Sequence, residues 1–319
     1  MIRNVASLFD KDMKIRMLIY GIPCVGKTSL ALSAPKPLLV DVEHGVQRTD
    51  PQYRKYSDGS QVDCISPDSY QDILNDLTPE NVAPYETIVF DTGGKLINLI
   101  GEWAIQNNPK CGQTDGSLTQ KGYGVVGREF MKLFDYCHYD LKKNVVIVFH
   151  AKETIDGDVT KIRLKAEGQT KDNVWEPMDL GGLMEMQGND RTISFSSCDR
   201  YYAKGTRGIN GIYKIPEVGR TEENNFLTKL FDKYKKSFEE DLACTGAEKE
   251  AYEATMDAAK KMLDLVKDAA TANIAIDAFK ELDHHLTSKK EVGAMWKAKM
   301  KDLGLVLDPD ANQYRSAEA

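Results

Sequence analysis

Short apolar runs alternate with helical periodicity through the first two-thirds of the chain. Four of these runs are four or five residues long and mostly apolar, and they cover residues 16–20, 38–42, 87–90 and 145–149. Runs of this length are typical of buried strands, and the helical patterns between them indicate βαβ units. The pattern therefore predicts an α/β fold with a mainly parallel sheet.

Helix and loop patterns lie between these strands. Ser66, Pro67 and Asp68 have the character of an N-cap, a first-turn proline and a first-turn acid, so they predict a helix through Leu77. A second long helix is predicted from about residue 125 to residue 141. Residues 105–124 are rich in Asn, Gly, Gln and Thr without periodicity, which predicts a long surface loop.

The pattern changes after residue 149. Residues 155–158 have the composition of a tight turn and precede the alternating residues 159–164, which predicts a β-hairpin. Further strands are predicted at residues 192–195 and 211–213.

The C-terminal part of the chain is helical from about residue 232. Ser288 and Glu291 have the spacing of a capping box, and Gly304 follows the last apolar position of the helix they open. Three stretches have apolar residues at helical spacing, namely Tyr252, Met256, Ala259, Leu263 and Val266; Ile276, Phe279, Leu282 and Leu286; and Val292, Trp296, Met300 and Leu303. We therefore predict a core of residues 1–231, a helical C-terminal module of residues 232–307 and a frayed tail of residues 308–319.

The composition is that of a folded globular protein. Of its 319 residues, 41% are hydrophobic and 29% are charged, and the net charge is −7. These values exclude a disordered or fibrous chain and a protein that coats nucleic acid by bulk positive charge. No window has the length of a membrane span, and residues 1–14 lack the apolar run of a secretory signal, so we expect a cytoplasmic protein without a membrane partner. The six cysteines are scattered without a C-x-x-C pair, which favours reduced thiols over a disulfide framework or a zinc site.

A phosphate-binding loop follows the first predicted strand. The string matches G-x-x-x-x-G-K-[ST] and opens a helical pattern, which is the context in which backbone N–H groups surround the phosphates of a nucleotide. The alternative is a chance match in an unrelated turn. The candidate nucleotide-binding residues are Gly21, Ile22, Pro23, Cys24, Val25, Gly26, Lys27, Thr28 and Ser29. Lys27 is expected to reach the β- and γ-phosphates, and the Thr28 hydroxyl is expected to bind Mg²⁺.

Two acids follow predicted strands. Asp91 ends the apolar run 88–90 at the strand edge where such sheets bind ligands, so it is a candidate second Mg²⁺ ligand. The alternative role for Asp91 is the N-cap of the following helix. Glu43 follows the strand after the phosphate-binding loop and is a candidate base for the water that attacks the γ-phosphate, the alternative being a solvated loop acid.

Three further polar residues are candidates on position alone. His150 ends the strand 144–149 and is either a group that faces the γ-phosphate or a structural histidine. Lys204 and Arg207 lie on a predicted strand-to-loop edge, where they are either ordinary solvated charges or cations that reach a nucleotide, in cis or across a subunit boundary.

Taken together, these motifs resemble the RecA-like ATPase core, and more closely the phage-encoded P-loop proteins that include the Sak-four single-strand annealing group. The resemblance covers roughly residues 14–215. It is carried by the strings GIPCVGKT (21–28), APKPLLVDVEHG (34–45), IVFDT (88–92), KGYG (121–124), VVIVFHAKE (145–153) and YYAKGTRG (201–208).

The resemblance implies an ATP- and Mg²⁺-dependent ATPase that acts on single-stranded DNA in recombination or annealing. It implies that Glu43 activates water, that His150 senses the γ-phosphate, and that Lys204 and Arg207 act on a neighbouring subunit's nucleotide in a filament or ring. A single-strand binding protein is a further candidate partner, and the location implied for a phage-encoded protein is the host cytoplasm.

The sequence departs from this family at two places. Cys24 replaces a glycine that is common in the loop, so it requires a backbone conformation that a non-glycine residue can adopt. No motif aligns with the DNA-binding loops, whose candidates by position are residues 106–124, with Tyr123 as a stacking residue, and residues 153–173, with Lys161, Arg163, Lys165 and Lys171. A solvated loop and hairpin are the alternative.

Other nucleotide-dependent classes fit less well. A GTPase would need an N-K-x-D guanine motif after a later strand, where the chain has His150-Ala151-Lys152-Glu153. A transport ATPase would need an L-S-G-G-Q motif, and a small-molecule kinase would have Arg-rich lids, and the sequence has neither. The remaining alternative is a nucleotide-gated scaffold or partner-binding protein with little hydrolysis.

Overall fold

The apolar runs form a sheet in the first of two compact units. The computed structural model describes residues 13–157, 159–166, 174–308 and 313–316. These residues divide into one unit of residues 13–237 and one of residues 238–316. Both this division and the boundary expected between residues 231 and 232 fall inside a single helix, Phe226–Leu265.

Nine strands of the described residues form one sheet in the first unit. They are β1 (Arg16–Gly21), β2 (Pro37–Asp41), β3 (Cys64–Ile65), β4 (Thr87–Asp91), β5 (Asn144–Asp156), β6 (Val159–Leu164), β7 (Leu180–Gln187), β8 (Asp190–Ser194) and β9 (Ile212–Lys214). The spatial order is β3-β2-β4-β5-β1-β7-β8-β9, and β6 pairs with β5. The first six strands of this order are parallel, and β6, β8 and β9 are antiparallel, so the expectation of a mainly parallel sheet is confirmed.

Helices cover both faces of this sheet. They are α1 (Lys27–Ala31), α2 (Tyr70–Asp76), α3 (Pro79–Val82), α4 (Gly93–Asn107), α5 (Gln120–Asp135) and α6 (Phe226–Leu265). Alternate residues of β1 serve different cores, because successive side chains of a strand point to opposite faces. Leu18 and Tyr20 pack with α2, α4 and α5, whereas Met17 and Ile19 pack with α1 and the first turns of α6. No helix among the described residues is both long enough and apolar enough to cross a bilayer.

The antiparallel part of the sheet agrees with the sequence except at β7. The predicted hairpin is confirmed by the pairing of β5 with β6, and the strands predicted at 192–195 and 211–213 correspond to β8 and β9. The sequence pattern does not predict β7, because this strand has two glycines near its start, and glycine is normally disfavoured in strands. A Cβ at Gly181 would lie 2.3 Å from the Trp175 ring, and one at Gly182 would lie 2.5 Å from Ile193, so close packing requires glycine there.

Two helix boundaries differ from the sequence analysis. Helix α2 begins at Tyr70 rather than at Pro67, because Ser69 is the N-cap and forms a capping box with Asp72. The surface loop expected over residues 105–124 is reduced to residues 108–119, because α4 continues to Asn107 and α5 begins at Gln120. The Thr119 hydroxyl accepts the N–H of Gly122 and so starts α5 before the apolar periodicity that the sequence shows.

The second unit contains the end of α6, α7 (Ala269–Lys280), α8 (Ser288–Asp302) and a hairpin of β10 (Leu305–Asp308) and β11 (Gln313–Ser316). Its core includes Leu263, Phe279, Trp296 and Met300, which confirms the helical module. Ser288 is the first residue of α8 rather than its cap, since the N-cap is Thr287 and no side-chain cap bond is present.

The frayed tail expected over residues 308–319 contains an ordered strand, β11. The Tyr314 hydroxyl accepts the indole N–H of Trp296 at 2.9 Å, and the Asn273 side-chain amide bonds both the N–H (2.6 Å) and the C=O (3.0 Å) of Tyr314. The short polar segment 313–316 does not itself predict a strand. The bonds that order β11 are made with Trp296 and Asn273, which are far away in the chain.

The first turn of α4 provides a test of the packing between helix and sheet. A Cβ at Gly93 would lie 2.4 Å from Cζ of Phe149, whereas one at Gly94 would lie 3.5 Å from the nearest atom, the carbonyl oxygen of Lys165. We expect Gly93→Ala to lower the free energy of unfolding by about 1–3 kcal/mol through overpacking. Gly94→Ala, the matched control, should be neutral or stabilising by up to about 1 kcal/mol. Urea unfolding of both variants measures this difference, and equal effects would show that α4 does not approach β5 this closely.

Candidate functional site

The phosphate-binding loop joins the C-terminal end of β1 to α1. A Cβ at Gly21 would lie 2.4 Å from the carbonyl oxygen of Met184 on β7, so the first position of the loop requires glycine. Gly26 has φ 92°, in the left-handed region that glycine favours. Cys24 also has a positive φ, 65°, which a non-glycine residue adopts at a modest cost. The loop thus accommodates a non-glycine residue at position 24.

Lys27 lies buried between the loop and two carboxylates. Its ammonium donates a hydrogen bond to the carbonyl oxygen of Ile22 at 2.7 Å. Burial lowers the pKa of Lys27, and the nearby charges of Asp91 and Glu43 partly offset this effect. The lysine is therefore at the centre of the loop, where a phosphate would meet both its charge and the backbone N–H groups.

Asp91 meets Thr28 across the sheet. Its carboxylate, only 7% exposed, accepts a hydrogen bond from the Thr28 hydroxyl at 2.5 Å, although β4 and β1 are separated by β5. Burial raises the pKa of Asp91 to about 6, the Thr28 hydrogen bond opposes this rise, and the acids Glu43 and Asp41 add to it. Asp91 does not cap the next helix, because the N-cap residue of α4 is Thr92.

A magnesium ion fits the chemistry of this pair. Mg²⁺ prefers oxygen ligands and keeps several waters, so one carboxylate, one hydroxyl and the substrate phosphates suffice. A cation here would relieve the concentration of negative charge that raises the pKa of Asp91. In the described ranges no group of three or more His, Cys, Asp and Glu side chains could hold a metal ion.

Glu43 lies in the turn after β2, beside Asp91. Its Oε1 atom accepts a hydrogen bond from the Thr92 hydroxyl at 2.6 Å and lies 3.3 Å from Nε2 of His150. The hydrogen bond with His150 lowers the pKa of Glu43 to about 2; burial opposes this effect, and the Thr92 hydrogen bond adds to it. Nδ1 of His150 is buried and has no hydrogen-bond partner within the part of the chain that the structure describes. The structure therefore brings Glu43, His150 and Lys27 together with the Thr28–Asp91 pair.

The neighbours of Glu43 in sequence have structural roles. The Asp41 carboxylate accepts the N–H groups of Gly45 and Val46 at 2.9 and 2.8 Å, which folds the turn after β2. His44 Nδ1 lies 2.6 Å from the Ser66 hydroxyl. Of the polar side chains in this turn, Glu43 is thus the one that contacts the site.

Lys204 and Arg207 lie away from the phosphate-binding loop of their own chain. Lys204 pairs with Gly181, beside Leu18 in the middle of β1, and its ammonium donates to the carbonyl oxygen of Glu176 at 3.2 Å. Arg207 follows Thr206, whose hydroxyl bonds the carbonyl oxygen of Asp179 at the start of β7. Thr206 therefore lies at the N-terminal ends of the parallel strands β1 and β7, whereas Gly21 lies at the C-terminal end of β1.

A cleft of about 620 Å³ opens from Glu43 and His150. Three lysines and an aromatic ring line it, namely Lys95, Lys152, Lys165 and Tyr123, and we call it the lysine cleft. Among the described residues these lysines form no ion pairs, and Tyr123 is 39% exposed. A larger groove of about 960 Å³ between α2, α4 and α5 contains no residue of the phosphate-binding loop.

Some residues of the lysine cleft are predictable from the sequence, and other residues of the site are not. Lys165 and Tyr123 were among the candidates for DNA contact, whereas Lys171 lies outside the described residues. Thr92, which holds Glu43, and Arg191, which packs on Gly26, were not predicted. The position of Thr92 directly after Asp91 could have suggested a role, but that of Arg191 depends on the pairing of β7 with β8.

Comparison with known proteins identifies a family for the chain. Residues 13–207, more than half of the chain, match the family model AAA_24, described as an AAA domain. No curated protein sequence matches the chain. Among solved structures it is similar to a RadB recombinase, with 11% sequence identity and a TM-score of 0.39, over 65% of this chain and 89% of that one. The chain belongs to the AAA_24 family of AAA domains, and its α/β core has the RecA-like P-loop fold.

Proposed function

We propose that this protein binds ATP with Mg²⁺, hydrolyses it, and acts on single-stranded DNA in recombination or annealing. The observation that carries the proposal is the convergence of Thr28, Asp91 and Glu43 around Lys27. In this arrangement a phosphate-binding loop, a candidate metal site and a candidate base share one pocket, as γ-phosphate hydrolysis requires.

Each residue then has a distinct role. Lys27 and the loop N–H groups neutralise phosphate charge, and Thr28 and Asp91 hold Mg²⁺, which supplies further positive charge to the phosphates. Glu43 orients the attacking water and takes its proton. Both donors to Glu43 meet Oε1, so among the described residues Oε2 has no protein donor and is open to a water. His150, which bonds Glu43, would exchange that bond for one to the γ-phosphate when nucleotide binds.

The lysine cleft supports action on single-stranded DNA. Its three lysines suit a phosphate backbone, and Tyr123 suits stacking on a base, the two contacts that single-strand binding combines. The cleft ends at Glu43 and His150, so a strand bound there would lie next to the candidate base. This adjacency is the physical basis for coupling hydrolysis to DNA.

A scaffold with little hydrolysis is the second candidate, and the state of Glu43 favours it. A carboxylate with a pKa of about 2, held by His150 and Thr92, is a poor proton acceptor. The protein would then bind nucleotide and DNA or a protein partner, and use the phosphates to order the site. Steady turnover of ATP separates the two functions.

Assembly, partners and origin remain predictions. A filament or ring would let Lys204 and Arg207 reach the nucleotide of a neighbouring subunit. A single-strand binding protein as partner, membership of the phage Sak-four group and a host-cytoplasmic location are further hypotheses that rest on the resemblance alone.

Removal of the loop lysine and of the candidate base should separate binding from hydrolysis. We expect Lys27→Ala to lose nucleotide binding, because the phosphates lose their main cation. Glu43→Gln should keep binding and slow ATP turnover about a hundredfold or more, the usual scale for a general base. Glu102→Gln, another acid of the lysine cleft, is the matched control and should leave turnover unchanged. Wild-type turnover in Glu43→Gln would refute the role of Glu43, and absence of turnover in the unmodified protein would favour the scaffold.

Substitutions in the lysine cleft should weaken single-stranded DNA binding. Lys152→Ala with Lys165→Ala should lower the affinity about tenfold and reduce the salt dependence by about one to two ions, since each lysine replaces roughly one counterion. Tyr123→Ala should cost about 1–3 kcal/mol of stacking energy. Fluorescence anisotropy with an oligonucleotide at several salt concentrations measures both effects. Lys132→Ala, an exposed lysine paired with Glu129 on α5, is the control, and an equal loss in that variant would exclude the cleft as the binding surface.

A further inference from the structure

An arginine far away in sequence packs directly on the phosphate-binding loop. Arg191, near the start of β8, places its guanidinium where a side chain at Gly26 would extend. A Cβ at Gly26 would lie 3.4 Å from Nη1 of Arg191 and 3.5 Å from both Cζ and Nε. Three atoms at nearly equal distances indicate that the flat face of the guanidinium lies against the loop.

Arg191 and Asp91 lie on different flanks of the loop and helix. Residues 26, 29 and 30 share one face, because successive residues of a helix are rotated by about 100°. Arg191 lines a recess with Gly26, Ser29 and Leu30 of this face, whereas Thr28 points away from it to Asp91. One flank of the loop is therefore acidic and suited to a metal, and the other carries a cation.

The guanidinium has few partners for its five donors. Among the described residues its polar contact is the Tyr53 hydroxyl, at 3.4 Å, and its Cζ lies 6.0 Å from the centre of the Tyr53 ring. No carboxylate in the described part of the chain forms an ion pair with it. The nearby Asn224 amide bonds the carbonyl oxygens of Ser29 and Tyr53 instead. Arg191 thus keeps donors available for an anion.

We propose that Arg191 binds the α-phosphate of a nucleoside di- or triphosphate held in the loop. This inference rests on the proposed function and adds a residue to it. In such a loop the backbone amides bind the α- and β-phosphates, and the lysine, here Lys27, binds the β- and γ-phosphates. The α-phosphate is therefore the one that Lys27 does not reach, and it would lie on the side of the loop where Ser29 and Arg191 lie. A planar guanidinium suits phosphate oxygens because it donates two parallel hydrogen bonds.

The size of the recess excludes it as a pocket for the base. Its volume of about 30 Å³ corresponds to one water molecule, far less than a nucleobase needs, so the proposed contact is made by the guanidinium at the surface of the loop and not inside the recess. Because the contact involves no metal ligand, it operates without Mg²⁺. Arg191 should therefore contribute equally to ADP and ATP, and its contribution should persist in a chelator.

Equilibrium binding of fluorescent ADP in EDTA tests this inference. Arg191→Met keeps most of the side-chain volume without the charge, and we expect it to weaken binding about tenfold, the usual scale for a hydrogen bond to a charged group. Lys214→Met, the matched control, removes a cation from the adjacent strand β9, where Lys214 pairs with Asp190, and should bind within about twofold of the unmodified protein. Equal affinities of Arg191→Met and the unmodified protein overturn the inference and leave the proposed function intact. Failure of the unmodified protein to bind either ADP or ATP overturns both.

A second measurement uses the unmodified chain and does not depend on the folding of a variant. Phenylglyoxal modifies accessible arginines, and mass spectrometry of peptides gives the rate at each site. We expect ADP in EDTA to slow the modification of Arg191 and adenosine to leave it unchanged, because adenosine lacks the phosphate. Arg200, an exposed arginine paired with Glu185, is the internal control and should react at one rate throughout. Modification of Arg191 at the same rate with and without ADP, or slowed equally by adenosine, overturns the inference.

Discussion

The buried carboxylate of Asp91 is the constraint on which the site depends. A charge taken out of water is costly unless neighbours compensate for it, and burial is the largest cause of the rise in the pKa of Asp91 to about 6. The Thr28 hydroxyl and the Lys27 ammonium supply that compensation, and both lie on the loop that starts α1. Strand β4 must therefore end beside the start of α1, and the order β4-β5-β1 places it there.

Glycines make this convergence sterically possible. Gly21 lets β1 and β7 approach at the point where the loop leaves the sheet, and Gly93 lets α4 start against Phe149 immediately after Asp91. A side chain at either position would meet atoms less than 3 Å away. The electrostatic arrangement of the acids and the lysine thus depends on close contacts, with the Met184 backbone at Gly21 and with the Phe149 side chain at Gly93, that only glycine permits.

The ionisation and the hydrogen bonds of Glu43 are compatible with both proposed functions. Its bonds to His150 and Thr92 keep it ionised, which suits the orientation of a water but reduces its strength as a base. A shift of His150 away from Oε1 would raise the basicity of Glu43 without moving the strands. The hydrogen bond between His150 and Glu43 is therefore the contact on which the two proposed functions differ.

Local features of the sequence predicted most of the core, and contacts between distant residues account for what was missed. The loop 21–28 and Asp91 were predictable because strand, loop and helix are contiguous there. Strand β7 was not predicted because glycine is disfavoured in strands, and here close packing requires it. Strand β11 was not predicted because it is held by hydrogen bonds to Trp296 and Asn273, which are distant in sequence. Ser69 replaced Ser66 as a cap because capping depends on the reciprocal bond with Asp72, not on composition. The sequence held no clue to the place of Arg191, since only the pairing of β8 brings it to Gly26.

Strand β5 changes partners halfway along its length. It pairs with β1 up to His150 and with β6 from Ala151 onward, so one uninterrupted strand belongs first to the sheet and then to the hairpin. His150 and Lys152 lie two residues apart, about 7 Å, and alternate residues of a strand share a face. One continuous strand therefore joins the hairpin to His150, whose Nε2 lies 3.3 Å from Oε1 of Glu43, so any displacement of the hairpin relative to the sheet is coupled through the backbone to the turn after β2.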